Sequence, residues 1–332
     1  MTASHATSRR ALLGGLAALG VAATARSRPA HAGPTAITTS GPTIPLWPGK
    51  APGGPARLPE RKVAQGSTDP SFDERIVTGV GTPWLEVRQP AYRNGAAVLL
   101  IPGGGYGFLA WDNEGEEQAR WLTQRGVTCF ILSYRLPAEG WAKRALVPLQ
   151  DAQRAMRIIR ARASEFALDP KRLAVLGFSA GGHLGGSLAT RFAEETYAPL
   201  DAIDEVSARP DLAGLIYPVI SMAEPFTHAG SRDNLLGQGA TASDAQYASV
   251  ENRVDAQTPP VFLIAASDDG LVPIQNSLAM YSAMLAQQRP CEFHGFDKGG
   301  HGFGVRLDPA TPAHAWPDLF YAYGQRHGVF AA

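Results

Sequence analysis

Six strand-like runs dominate the chain: AAVLLIP (96–102), VTCFILSYRL (127–136), RLAVLGFS (172–179), LAGLIYPVI (212–220), PVFLIAAS (260–267) and CEFHGFD (291–297). Most are apolar along their length rather than alternating. A strand with one wet face alternates, whereas a parallel strand buried on both faces does not. Helical patterns fill the gaps. The clearest spans 149–166, where Leu149, Ala152, Met156, Ile159, Ala163 and Phe166 recur at three- and four-residue spacing and form one apolar stripe. Arg154, Arg157, Arg160 and Arg162 fall off that stripe and read as its solvated face. Strands alternating with helices imply right-handed crossovers, and so a mostly parallel central sheet with helices on both faces. IVTGVG and WLEVRQPAY precede the runs and suit an antiparallel edge.

A chain of 332 residues, 45% apolar and 18% charged, is long enough for one large α/β domain. Basic and acidic side chains number 30 each, so the charge balance gives no support to a nucleic-acid or membrane-surface partner. Residues 61–332 contain no internal repeat or low-complexity linker and read as a single domain. Residues 33–60 are rich in Pro and Gly and read as an extended arm with neither helical nor strand period, pinned to the body by Trp47. Residues 1–32 read as an export signal. Arg9-Arg10 lead a short apolar run, and Ala30-His31-Ala32 offers a cleavage site. The arginine pair followed by Leu12-Leu13 points to the twin-arginine route, with a periplasmic or secreted product and no stable membrane insertion afterwards. Removing the signal leaves 26 basic and 30 acidic residues, a net charge of −4. Cys129 and Cys291 both lie in strand-like runs and read as two buried free thiols. No spacing typical of metal ligands occurs, so no metal is expected, and the serine chemistry read below calls for no cofactor.

VLGFSAGGH (175–183) sets a lone serine, Ser179, between Gly177 and Gly181 at the end of an apolar run. Glycine on both sides suits a sharp strand-to-helix turn, which exposes a serine hydroxyl as a nucleophile. Such a serine needs a base, an orienting acid and an oxyanion hole. His301, in DKGGHGFG, follows the last strand-like run and lies on a loop at its carboxyl end, where open α/β sheets place ligands. His183 reads as a structural residue of the helix after the serine, and His294 as packed in the sheet. His228, His314 and His327 have no supporting motif. In this chain order the acid falls between serine and histidine. Asp268 and Asp269 in SDDGLVP both meet that requirement, and Asp269, four residues before Pro273, is favoured. The oxyanion hole calls for backbone N–H groups. Ala180 follows the serine, and Gly103, Gly104 and Gly105 follow the strand-like run 96–102. GGGYG lacks the Lys-Ser/Thr of a phosphate loop. Glu114, Glu116 and Glu117 read as the acidic first turn of a helix rather than as the paired carboxylates of a glycosidase.

With these elements in order, the chain resembles the α/β-hydrolase superfamily and, within it, the acetyl-xylan esterase-like (BD-FAE-type) bacterial esterases. The resemblance runs through IPLWPGKAPGG, IPGGGYGFLAWDNEGEEQARWL, LSYRLP, PLQDAQRAMRIIRARA, LDPKRLAVLGFSAGGHLGGSLAT, DDGLVPIQNS and KGGHGFG. It departs at Ile101, where many members carry histidine. The resemblance implies an α/β-hydrolase fold with Ser179 as nucleophile, Asp269 as acid and His301 as base. It also implies an oxyanion hole from Gly104, Gly105 and Ala180. The segment 221–259 is too short for an elaborate lid, so an open site for acylated carbohydrate is expected. Tyr106, Phe108, Trp111, Trp141 and Phe226 are available as aromatic faces for sugar rings, and Tyr106 and Trp111 are the first choices as substrate contacts. Two other readings stand beside this one. The first is a general short-chain carboxylesterase or acyl peptidase on the same triad. The second is a catalytically silent carbohydrate-binding protein. Oligomeric state is not legible.

Overall fold

All six strand-like runs form strands of one sheet in the computed structural model, which describes residues 41–69 and 73–331. The strands in chain order are β1 (Thr43–Pro45), β2 (Lys62–Gln65), β3 (Arg75–Thr78), β4 (Trp84–Arg88), β5 (Ala97–Ile101), β6 (Leu109–Ala110), β7 (Thr128–Ser133), β8 (Leu173–Phe178), β9 (Leu212–Ile216), β10 (Val261–Ala266) and β11 (Cys291–Phe296). The helices are α1 (Glu117–Thr123), α2 (Val147–Ala161), α3 (Ala180–Arg191), α4 (Ala229–Leu236), α5 (Ala242–Ala248), α6 (Gln275–Ala286) and α7 (Trp316–Arg326). The main sheet has the order β1-β4-β7-β5-β8-β9-β10-β11. The last six strands in that order run parallel, and β4 is antiparallel to both β7 and β1. Every residue of β5, β7, β8, β9 and β10 is buried, as their unbroken apolar runs require. From β5 the chain crosses to β7 on one side and returns to β8 on the other. The crevice beyond the carboxyl ends of β5 and β8 is therefore a topological switch point, the place where such sheets hold ligands.

Three local expectations change. The arm is not free of strand: Thr43–Pro45 pairs with β4 at the sheet edge, where a proline without an N–H is tolerated. IVTG does not join WLEVR. It forms β3 of a separate three-stranded antiparallel sheet, β2-β3-β6, which lies beside the switch-point crevice. The arginines of α2 are not a solvated face. Arg154 is 2% exposed, grips Asp201 through both Nη atoms at 2.8 and 2.7 Å, and donates to the Leu46 carbonyl at 2.9 Å. Arg157 and Arg160 are half-buried on the same loop. The stripe predicted over 149–166 is buried, but α2 ends at Ala161 and a 3₁₀ turn, Ala163–Phe166, carries its last two members. Trp47 is buried, and its indole N–H donates to Asp151 at 2.8 Å. Cys129 and Cys291 are free thiols, the first buried and the second half-buried. Residues 221–259 fold into α4, α5 and a short turn rather than a separate lid. The export signal read at residues 1–32 lies outside the described residues. Among the described residues no helix is long and apolar enough to cross a membrane.

Candidate active site

Ser179 stands between β8 and α3 with φ 52° and ψ −120°, a conformation a side-chain-bearing residue adopts only when its surroundings impose it. Here the backbone does so. The Ser179 N–H donates to the Ile216 carbonyl at 3.0 Å, and its own carbonyl accepts from the N–H groups of His183 and Val219. The flanking glycines are needed for close approach. A Cβ on Gly177 would sit 2.2 Å from the Gly181 carbonyl oxygen, and one on Gly181 would sit 2.1 Å from that of Ile101.

His301 lies on the loop after β11, between Gly300 and Gly302, both at positive φ. Its Nδ1 is 2.7 Å from Asp269 Oδ2, and its Nε2 is 2.9 Å from Ser179 Oγ. An ionised carboxylate only accepts, so Nδ1 carries the proton and Nε2 accepts from the serine hydroxyl. Asp269 is held in place beside this imidazole. Its other oxygen accepts from the N–H groups of Leu271 and Val272, both at 2.9 Å, in a turn that follows β10. Asp268 meets the backbone of the histidine loop rather than the imidazole, accepting from Gly300 N–H at 2.8 Å with Lys298 at 3.7 Å. The structure thus separates the two aspartates that the sequence left side by side.

The glycine loop after β5 faces the serine. Gly104 and Gly105 adopt φ 114° and 61° and line the crevice. Among the described residues the N–H groups of Gly104, Gly105 and Ala180 donate to no other residue. Gly103 is different: its N–H donates to Glu114 Oε2 at 2.7 Å.

These groups open on a cavity of about 570 Å³. Ser179, His301, Gly104 and Gly105 line it, with Phe108, Leu271, Ile76 and His228. Tyr106 and Trp111, chosen from the sequence as sugar contacts, do not. Tyr106 is 1% exposed and its hydroxyl bonds His183; Trp111 is fully buried against Trp84. Both aromatic rings are spent on the core beneath the loop, and Trp141 is buried as well. Of the five aromatic candidates, Phe108 alone lines this cavity.

His183 is structural, as its helical position implied. Its Nε2 donates to the Ala248 carbonyl and its Nδ1 accepts from Tyr106, both at 2.8 Å. Burial pushes it down to about 4, from an ordinary value of 6.5. The unfolded chain therefore binds a proton that the folded chain refuses. The stabilisation is complete above about pH 6.5 and is lost as pH falls toward 4, by about 3 kcal/mol. A His183→Asn variant is expected to show a flatter fall of Tm between pH 6.5 and 4 than the wild type.

The sequence missed two groups. His228 has no motif, yet its Nδ1 accepts from the Ser231 N–H at 3.2 Å, which leaves the proton on Nε2 in the cavity wall. Glu114 does lie in the first turn of a helical segment, but that segment is a short π-helix and the carboxylate is buried. The residue is 3% exposed on this π-turn, Asp112–Glu116, which precedes α1. Among the described residues no cluster of three or more His, Cys, Asp or Glu could hold a metal ion.

Residues 85–284 match the BD-FAE family over most of the sheet and the serine elbow. The chain belongs to this family. Its fold is that of the α/β-hydrolases. An acetyl ester-xyloside bifunctional hydrolase from Caldicellulosiruptor lactoaceticus is 32% identical, with a TM-score of 0.71 over 90% of this chain and 100% of its own. Endo-1,4-beta-xylanase B of Butyrivibrio fibrisolvens is 38% identical across 64% of this chain and 33% of the relative. The acetylxylan esterase of Xylanibacter ruminicola is 35% identical across 65% of this chain and 42% of the relative. The chain thus spans less than half the length of either curated relative. The BD-FAE match covers β4 through most of α6 and includes Ser179 and Asp269, while His301 lies beyond it.

Proposed function

We propose that this BD-FAE family member is a serine carboxylic-ester hydrolase that removes acetyl groups from acylated carbohydrate, acetylated xylo-oligosaccharides above all. The observation that carries the reading is the hydrogen-bonded series Asp269–His301–Ser179, which ends at a cavity lined by Gly104 and Gly105, whose N–H groups, like that of Ala180 beside the serine, are unengaged among the described residues. In the proposed reaction His301 Nε2 takes the Ser179 proton as Oγ attacks the ester carbonyl carbon. The resulting oxyanion accepts from Gly104, Gly105 and Ala180, each such donor contributing about 3 kcal/mol to the lowered barrier. The carbon–oxygen bond to the sugar then breaks. His301 returns the proton to the departing alcohol, leaving an acyl-serine. Water repeats the sequence and releases acetate.

The carbohydrate part of the reading is supported by the acetyl ester-xyloside hydrolase and the acetylxylan esterase among the similar proteins. A second reading, a general short-chain carboxylesterase, draws on the apolar side chains Phe108, Leu271 and Ile76 in the cavity. Export directed by residues 1–32 belongs to the proposal and rests on the arginine pair and the Ala-His-Ala site. The test is acetate release by residues 33–332 from acetylated xylo-oligosaccharides and from an aryl acetate. Release from both supports the first reading. Cleavage of the aryl acetate alone discards the carbohydrate and keeps the esterase.

A further inference from the structure

Glu114 is a buried carboxylate beside the reacting serine, and the reaction described above gives it no task. Burying a carboxylate is costly unless its oxygens are engaged, and both are. Oε2 accepts the Gly103 N–H at 2.7 Å, and Oε1 accepts the Tyr217 hydroxyl at 2.9 Å. Gly103 immediately precedes the two glycines that line the cavity with unengaged N–H groups. Tyr217 leads to the other side of the site. Its hydroxyl accepts from the Gly304 N–H at 3.2 Å, and its ring packs 5.0 Å from the His301 ring and 4.6 Å from that of Phe303. The next residue back, Asn113, donates through Nδ2 to the Gly302 carbonyl at 2.6 Å. Of two successive side chains on one turn, Asn113 thus bonds the histidine loop directly, while Glu114 holds the glycine loop and reaches the histidine loop through Tyr217.

The local backbone suits this. A π-turn is wider than an α-turn, and such insertions recur at functional sites. The remaining acids of the turn point elsewhere, Asp112 to Arg75 and Glu116 to Arg88. The titratable groups facing Glu114 are His301, Tyr217, Glu74 and Tyr134. Burial raises Glu114 to about 6, while the neighbouring His301 works against that rise.

We infer that Glu114 is a positioning residue that locks the glycine loop and the histidine loop in one geometry and places a negative charge facing His301. The inference rests on the serine-hydrolase reading. As His301 gains its proton in the first step, that charge favours the imidazolium, and the fixed Gly103 keeps the following amides aimed at the oxyanion.

The test compares wild type, Glu114→Gln, Tyr217→Phe and Ser179→Ala on an aryl acetate, with kcat, KM and the pH profile of kcat/KM. Active sites are counted by stoichiometric phosphorylation with an organophosphate, so that misfolded protein is not scored as slow enzyme. Glutamine keeps the bulk but can accept only through one atom, and it removes the charge. The expected result is a fall of about 30-fold in kcat per competent site with KM changed less than about threefold. The acid limb of the pH profile should move to lower pH by about half a unit, because His301 loses a nearby negative charge. Tyr217→Phe should lose about fivefold in kcat and leave the acid limb in place. Wild-type kcat and an unmoved acid limb in Glu114→Gln would overturn the inference. So would a loss that disappears once competent sites are counted. Full activity in Ser179→Ala would instead overturn the serine reading itself, whatever Glu114 does.

Discussion

Replacing Ser179 with alanine is expected to reduce kcat on an aryl acetate by about 10⁵-fold without unfolding the protein. The reaction needs the Oγ atom that lies 2.9 Å from His301 Nε2, and nothing else on the turn replaces it. The backbone is indifferent to the change. Alanine carries the same Cβ at φ 52°, and the hydrogen bonds of the elbow are made by main-chain atoms. Tm is therefore expected to stay within about 1 °C of the wild type, a shift of under 1 kcal/mol. Steady-state kinetics with a melting curve on the same preparation decides the matter. A loss smaller than about tenfold would mean that another group attacks the ester.

The second large effect concerns the acid, and here two adjacent residues serve as each other's control. Asp269→Asn is expected to lower kcat by about 10⁴-fold, because an amide no longer holds the proton on His301 Nδ1 or favours the imidazolium. Asp268→Asn is expected to change kcat by less than about threefold. Its contacts are a backbone N–H from which an amide oxygen can still accept and an exposed lysine 3.7 Å away. Comparable losses in the two variants would remove Asp269 from the role given it by geometry.

Some of the site was legible before any coordinates. The six strand-like runs became six strands within a few residues of their sequence limits, because an unbroken apolar run is a local record of burial on both faces. The serine elbow was legible for a similar reason. Glycine at 177 and 181 records two close backbone approaches, of which one is to the neighbouring turn of the same segment. The aromatic and acidic residues fared worse. A tyrosine after three glycines offers a hydroxyl for solvent or for the core on equal terms, and Tyr106 found His183, 77 residues away. Arg154 shows the same limit. Its helical phase turned it from the apolar stripe, but a loop at 201–204 then covered it.

The sequence by itself determined what is local: strands, the main amphipathic helix, the elbow around Ser179, and the chain order of the three groups proposed as nucleophile, acid and base. These depend on backbone conformation and on burial periodicity over a few residues. Tertiary structure alone decided which aspartate meets His301, which aromatic ring reaches the cavity, and that Glu114 holds Gly103 while its other oxygen meets Tyr217, which packs on the histidine loop. Those outcomes depend on which hydrogen-bond partner lies within about 3 Å after folding. For Glu114 and Tyr217 that partner is 103 positions along the chain, a separation that no local pattern records.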